Sequence, residues 1–209
     1  MIKFEHTDYW GYEHATRGMR NPLESWIKND TRWVDGEYYE LGENDKALLQ
    51  KLIKGGQEHR KVLRQIFVSV DITAPLYWWK EFDTYKVGTV SNSCSTMHKI
   101  HAKKFSMDDF SNEHLSEKGL GSLWRTIDDL NYARKMFLDT KDKQYWWDMI
   151  QLLPTSYNQK RTITMNYENL YSICKQRKGH KLDEWHDFIA WCHELPWAEE
   201  ILFFQEEAK

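Results

Sequence analysis

Arg64-Gln65-Ile66-Phe67-Val68-Ser69-Val70-Asp71-Ile72-Thr73-Ala74-Pro75 is the stretch from which the rest of this chain can be ordered. From Ile66 to Ile72 β-branched residues alternate with others, which predicts a half-buried strand. Pro75 either ends that strand or opens the next helix, where its missing N–H costs nothing. The aromatic run Leu76 to Phe82 suits a buried helix, and the small, polar residues Gly88 to Ser95 read as a loop. Loops held by rigid scaffolds often carry function.

Upstream, residues 1–40 are rich in Trp, Tyr, Gly and Asp without a clear period, so irregular structure with short pieces of helix or strand is expected there. Asn44 can cap a helix starting at Asp45, with Leu48, Leu49, Leu52 and Ile53 on one face and Gly55-Gly56 as its stop. Downstream, Ser106-Met107-Asp108-Asp109 begins a capped helical segment. Gly119 to Gly121 is expected to break it before a long helix from about Ser122 to Leu138. Helical spacing follows from Lys143 to Leu152, Asn166 to Lys178 and Leu182 to His193, with a last helix after Pro196. No repeat or low-complexity tract interrupts the chain, and it reads as one domain over 1–209.

The chain has 209 residues, 29 of them basic and 32 acidic, for a formal charge of -3. That balance gives no general attraction to bulk nucleic acid. No apolar run approaches the ~20 residues of a membrane span. Cys94, Cys174 and Cys192 are odd in number and stand at no metal-ligand spacing, and the start Met1-Ile2-Lys3-Phe4-Glu5 is no apolar leader, so a reducing, cytoplasmic setting is expected. Eleven tryptophans, including Trp78-Trp79 and Trp146-Trp147, read first as core and subunit contacts and second as stacking surface for a planar ligand. His98 and His101, and His180 with His186, lack a fixed partner set for zinc, so no metal site is expected. No Walker loop, G-x-G-x-x-G, G-x-S-x-G or H-E-x-x-H is present, which removes those enzyme classes.

The strand, its Ala74-Pro75 turn and the aromatic helix after it resemble the segment that precedes the signature of flavin-dependent thymidylate synthases, and His59 falls on a histidine of that family. The family's R-H-R-x-x-S is met here by Thr84-Tyr85-Lys86-Val87-Gly88-Thr89. Its N-E-x-S-x-R-Y is met by Asn92-Ser93-Cys94-Ser95-Thr96-Met97-His98, with one extra residue in the spacer. Asn92 and Ser95 are retained, Lys86 and Thr89 are conservative, and the other arginines are replaced. Farther on, Leu153-Pro154, Thr164-Met165-Asn166, Leu170 and Arg177 align without a gap with L-P, W-T-V-N-like and N-L-R-like stretches, and Glu184-Trp185 falls near a Gln-Trp. These matches cover roughly residues 44–98 and 150–197. The stretches T-A-P-x-Y-W-W, D-T-Y-K-V-G-T and L-P-x-S-Y-N-Q-K-R-T also resemble proteins of bacteriophage and prophage genomes.

The resemblance implies an α+β fold of the thymidylate synthase-complementing (ThyX) type, mostly helical with a small antiparallel sheet. It implies a homotetramer holding flavin adenine dinucleotide (FAD) between subunits, with a pyrimidine nucleotide against the flavin. It assigns Tyr85, Lys86, Thr89, Asn92, Ser95 and Asn166 to the cofactor, and Glu81, Arg161 and Arg177 to the nucleotide; no catalytic residue is assigned. Glu81 stands where the family has a glutamine, which points weakly to a base bearing an amino group. Arginine matters in such a site because its planar fork holds phosphate with charge-assisted bonds, each worth roughly 1.5–3 kcal/mol. Loss of three arginines weakens binding by several orders of magnitude unless Lys86, Lys160, Arg161 or Arg177 replaces them. Three readings stay open: flavin-mediated transfer at a pyrimidine base, nucleotide binding or sequestration without catalysis, and a ligand-free oligomeric interaction protein. For Asn92, Ser95 and Asn166 local turn capping is the competing explanation.

Overall fold

The alternating run becomes a strand with one buried face: Val68, Val70, Ile72 and Ala74 are at most 1% exposed, and the residues between them are half-buried, in a computed structural model that describes residues 2–204. The elements in chain order are β1 (Lys3–Trp10), α1 (Tyr12–Met19), β2 (Arg32–Val34), β3 (Tyr38–Glu40), α2 (Glu43–Lys54), β4 (Phe67–Pro75) and α3 (Leu76–Phe82). They continue with β5 (Val90–Ser93), α4 (Glu117–Thr140), α5 (Lys143–Leu152), β6 (Asn158–Asn166), α6 (Tyr167–Arg177), α7 (Asp183–His193) and α8 (Ala198–Ile201). Short 3-10 turns include Arg60–Gln65 and Met107–Asp109.

One sheet has the order β1-β4-β6-β5, and β2 and β3 form a separate antiparallel ribbon with Arg32 opposite Glu40. Strands β4 and β6 run antiparallel: the Ser69 and Thr164 hydroxyls lie 3.0 Å apart, and farther along the Leu76 N–H donates to the Tyr157 carbonyl over 3.0 Å. One number rises as the other falls. The architecture is α+β, mostly helical with a small antiparallel sheet.

The described chain forms two compact units. The first comprises residues 1–3, described from 2, with 72–84 and 92–162. Its helices α4 and α5 close over Ile100, Phe105, Phe110, Leu123, Ile127, Leu130, Ala133 and Met149. Helix α4 starts at Glu117 and continues through Gly119 and Gly121, so the expected break there does not occur. The Ser116 hydroxyl accepts from the Gly119 N–H and caps the first turn. Each interior glycine costs about 1 kcal/mol against alanine; burial of Leu123, Ile127 and Leu130, worth about 1.5–3 kcal/mol for each large side chain, outweighs that. Ser106 and Asp109 form a capping box, but around the single turn Met107–Asp109 rather than the helical segment expected from Ser106.

The second unit comprises residues 4–71, 85–91 and 163–209, described to 204. Helix α2 begins at Glu43, and Asn44 is not its cap. The capping carboxylate comes from Asp30, which accepts from the Asn44 N–H over 2.8 Å and the Asp45 N–H over 3.0 Å. Asp45 is buried and receives Arg20, whose Nε lies 2.7 Å from Oδ1, together with the Thr31 N–H at 3.0 Å on Oδ2. The amino-terminal stretch carries the eight-residue strand β1 and the eight-residue helix α1. Tyr12 on α1 and Tyr167 on α6 meet through their hydroxyls at 2.6 Å, and the Tyr167 hydroxyl donates to the Pro196 carbonyl over 2.8 Å. Burial is the largest cause pushing both phenols upward from the usual tyrosine range.

Candidate functional site

The loop after α3 belongs, from Tyr85 to Ser91, to the second unit, and it is built onto α6. Asn166 and Asn169 cap that helix reciprocally: the Asn169 N–H donates to Asn166 Oδ1 over 3.0 Å, and the Asn166 N–H to Asn169 Oδ1 over 3.2 Å. Asn169 Nδ2 then donates to the Val87 carbonyl over 2.6 Å, pinning the loop. Gly88 follows with φ +79°, and a Cβ placed there would stand 2.9 Å from Asn166 Nδ2 and 3.1 Å from Asn169 Oδ1. Only glycine fits this position without strain. The Thr89 hydroxyl donates to the Tyr85 carbonyl and closes the turn.

One helix length away on α6, Arg177 Nε donates to the Tyr85 hydroxyl over 2.8 Å, and that hydroxyl donates to Gln176 Oε1 at 3.2 Å. The guanidinium carbon lies 5.4 Å from the Tyr85 ring centre and 4.6 Å from that of Trp185 on α7. Trp185 is fully buried and meets Tyr85 edge to face at 6.1 Å. Two aromatic rings therefore fix the plane of a half-buried arginine. Lys86, Val87 and Gly88 stay exposed, Val87 at 88%.

Of the nine residues picked from the sequence, five lie in this unit. Tyr85, Thr89, Asn166 and Arg177 belong to the network just described, and Lys86 stands exposed on the same loop. The roles of two are more specific than their residue types indicate. Asn166 spends its carbonyl on the helix cap, and Tyr85 spends its hydroxyl on Arg177 and Gln176.

The other four lie in the first unit. Arg161 NH1 donates to Asp83 Oδ1 over 2.8 Å, its Nε donates to Gln159 Oε1 over 3.0 Å, and its guanidinium carbon covers the Trp79 ring at 4.2 Å. Glu81 is half-buried on α3, and its carbonyl accepts from the Thr84 hydroxyl at 2.8 Å. Asn92 and Ser95 were expected in a loop; Asn92 instead sits exposed on the edge strand β5. Ser95 lies just past it, and its hydroxyl accepts from the Met97 and His98 N–H groups at 3.2 and 2.9 Å. Edge pairing continues as the Cys94 N–H donates to the Lys160 carbonyl over 2.9 Å. The strand is short and wholly exposed, so no apolar alternation announces it.

Beside this edge a cleft of about 650 Å³ is lined in part by Thr73, Cys94, Ser95, Lys99, Lys103 and Lys160. Lys103 is bonded to Asp109, which raises its pKa. The cleft thus combines hydroxyls with Lys99, Lys103 and Lys160 and with the carboxylates Asp108 and Asp109. Sequence reasoning missed Lys99 and Lys103, as well as Asn169, Gln176 and the glycine requirement at 88; the run Asn166-Tyr167-Glu168-Asn169 is an N-cap pattern that could have found Asn169. No group of three or more acidic, histidine or cysteine side chains suited to a metal ion occurs among the described residues. No described helix is long and apolar enough to cross a membrane.

No protein-family model matches the chain, and no curated protein does. Solved structures do. Thymidylate synthase X (ThyX) from Helicobacter pylori, crystallised with FAD and dUMP, matches with a TM-score of 0.66 at 18% identity, over 97% of this chain and 96% of that one. A second structure of that flavin-dependent enzyme with FAD and dUMP matches with a TM-score of 0.65 at 18% identity, over 97% of both chains. The UMP/dUMP methylase PolB from Streptomyces cacaoi, bound with 5-Br dUMP, matches with a TM-score of 0.63 at 12% identity, over 96% of this chain and 93% of that one. Over nearly its whole length, the chain has the fold of the flavin-dependent thymidylate synthases.

Proposed function

We propose that this chain binds FAD together with a pyrimidine nucleoside monophosphate, and that it acts by flavin-mediated transfer at the base. The observation that carries the reading is the union of the Tyr85–Thr89 loop with Arg177, residues some 90 positions apart, in one network of a chain folded like ThyX. Solved relatives of this fold were crystallised with FAD and dUMP or with a brominated dUMP.

The residues suit a planar anion. Arg177 brings a fixed cationic plane, and Lys86 brings an exposed ammonium on the adjoining loop. Flavin, when bound, supplies reversible hydride transfer; the chain's task is to bind and orient. In this reading Tyr85 positions Arg177, Asn169 holds the loop closed on α6, and Lys86 and Arg177 receive phosphate or pyrimidine oxygens. Assembly into a homo-oligomer, as a tetramer, is part of the proposal.

Arg161 favours a second reading, nucleotide binding without turnover. Its Nε and NH1 are held by Gln159 and Asp83, so a charge expected to face the ligand is used within the protein. The absorption spectrum of the purified chain decides first: a yellow sample that bleaches on reduction supports flavin, and a colourless one not stabilised by FAD or dUMP sinks both readings. Binding of dUMP without flavin and without conversion selects the second.

A further inference from the structure

The second unit holds another concavity, which shares no residue with the Tyr85–Thr89 loop or Arg177. It has a volume of about 580 Å³, within the range typical of small-molecule sites. Its walls come from three separate parts of the unit: Tyr9 and Trp10 at the end of β1, Trp33 and Tyr38 on the β2–β3 ribbon, and Trp197 ahead of α8. The walls are braced. Trp197 Nε1 donates to the Tyr39 carbonyl over 3.0 Å, the Trp197 and Tyr12 rings meet edge to face at 4.5 Å, and Trp33 packs on Tyr39 at 5.3 Å. Yet Trp33 is 58% exposed and Trp10 is 44% exposed, so large ring faces remain open to solvent.

The charge on this cleft has one sign. Glu13, Glu37, Glu40 and Glu200 line it, and among the described residues that do so none is lysine or arginine. Glu40 is paired with Arg32 at 3.3 Å. Arg17, which does not line the cleft, lies 3.1 Å from His14 Nδ1 on its margin. Phosphate-bearing ligands are repelled by such a rim, and neutral apolar ones gain nothing from the carboxylates. Electron-rich ring faces under carboxylates attract a cation that is large, weakly hydrated and apolar on its surface.

We propose that this cleft is a binding site for a small organic ammonium cation with a methylated head, held by Trp10, Trp33 and Trp197 and selected by Glu13, Glu37 and Glu200.

The test uses the full chain with choline and with its neutral carbon isostere, 3,3-dimethylbutan-1-ol, each titrated by calorimetry. Choline is expected to bind, and the isostere to bind about tenfold more weakly or less. Trp33→Ala, on the exposed ribbon, is expected to weaken choline several-fold with an unchanged melting temperature, and Glu37→Gln to reduce the preference for choline over the isostere. Equal binding of the two probes, no choline binding, or full choline affinity in Trp33→Ala overturns the proposal. So does a choline-inert protein whose oligomeric mass falls on Trp33→Ala, which would assign the cleft to contact with a second copy. None of these readouts depends on flavin or nucleotide.

Discussion

Arg177 donates from Nε to the Tyr85 hydroxyl over 2.8 Å while its guanidinium lies over the Trp185 ring at 4.6 Å. A single side chain thereby joins the loop after α3 to helices α6 and α7, and its plane is set before any ligand arrives. If it holds an anion, Arg177→Ala lowers dUMP affinity on the order of ten- to a hundredfold, the loss of one charge-assisted contact. Arg177→Lys keeps the charge but not the plane and restores only part of it. Calorimetric titration with dUMP reads both; unchanged affinity in Arg177→Ala would remove this residue from the site.

Tyr85→Phe separates positioning from contact. It takes the hydroxyl from Arg177 and Gln176 and leaves the ring against Trp185, so a stability loss of about 1 kcal/mol is expected in urea denaturation. Nucleotide affinity should fall less than in Arg177→Ala. An equal or larger fall would make Tyr85 itself the ligand contact.

Gly88→Ala combines two penalties, a left-handed backbone at φ +79° and a Cβ 2.9 Å from Asn166 Nδ2. Gly36 has a similar φ of +73° with open space around it. Alanine at 36 pays only the backbone cost, about 1–2 kcal/mol, whereas alanine at 88 must also displace the α6 cap. Thermal melts should show the larger drop at 88, and equal drops would mean that the loop moves freely from Asn166.

The two buried tyrosines are not equivalent. Because the Tyr167 hydroxyl gives its proton to Pro196, Tyr12 must be the donor in their mutual bond. Tyr12→Phe removes one donor and costs about 1 kcal/mol; Tyr167→Phe strands both the Tyr12 hydroxyl and the Pro196 carbonyl and costs about 1–3 kcal/mol. Both phenols are pushed upward by burial, so the neutral forms belong to the folded state. Their contribution is complete below the unfolded tyrosine value of about 10 and is lost as pH rises above it. Denaturant midpoints measured on either side of that pH should fall less steeply in Tyr12→Phe than in the parent chain.

Asp45 receives Arg20 and two backbone N–H groups with no exposure of its own, and Arg20 is only 4% exposed. Asp45→Ala leaves the arginine buried without its counter-charge, an expected loss of about 3–5 kcal/mol. The double change Asp45→Leu with Arg20→Met should recover much of it. Denaturation midpoints report the comparison; a single change costing under about 1 kcal/mol would show that water reaches the pair.

Local pattern decided much of this protein. The alternation from Ile66 to Ile72 and the proline after it became β4 and α3, with α3 ending at Phe82 as its apolar run does, and Asp142 and Pro154 bracket a helix that runs from Lys143 to Leu152 as its spacing indicates. Side chains two, three or four positions apart determine such elements, so the chain itself records them. The resemblance to ThyX, carried by short motifs in order, was likewise legible in the sequence, and the fold agrees with it.

What the sequence could not record is partnership across long separations. Asp30 rather than Asn44 caps α2, α4 runs through two glycines because its far side is buried, and exposed β5 forms only by pairing with its neighbour. The two candidate arginines differ in the same way: Arg161 is drawn to Asp83, 78 residues earlier, and Arg177 to Tyr85, 92 residues earlier. Neither spacing has a period that marks it. The family resemblance made both arginines candidates, and the tertiary fold decided that one meets Asp83 while the other meets the Tyr85 hydroxyl and the Trp185 ring.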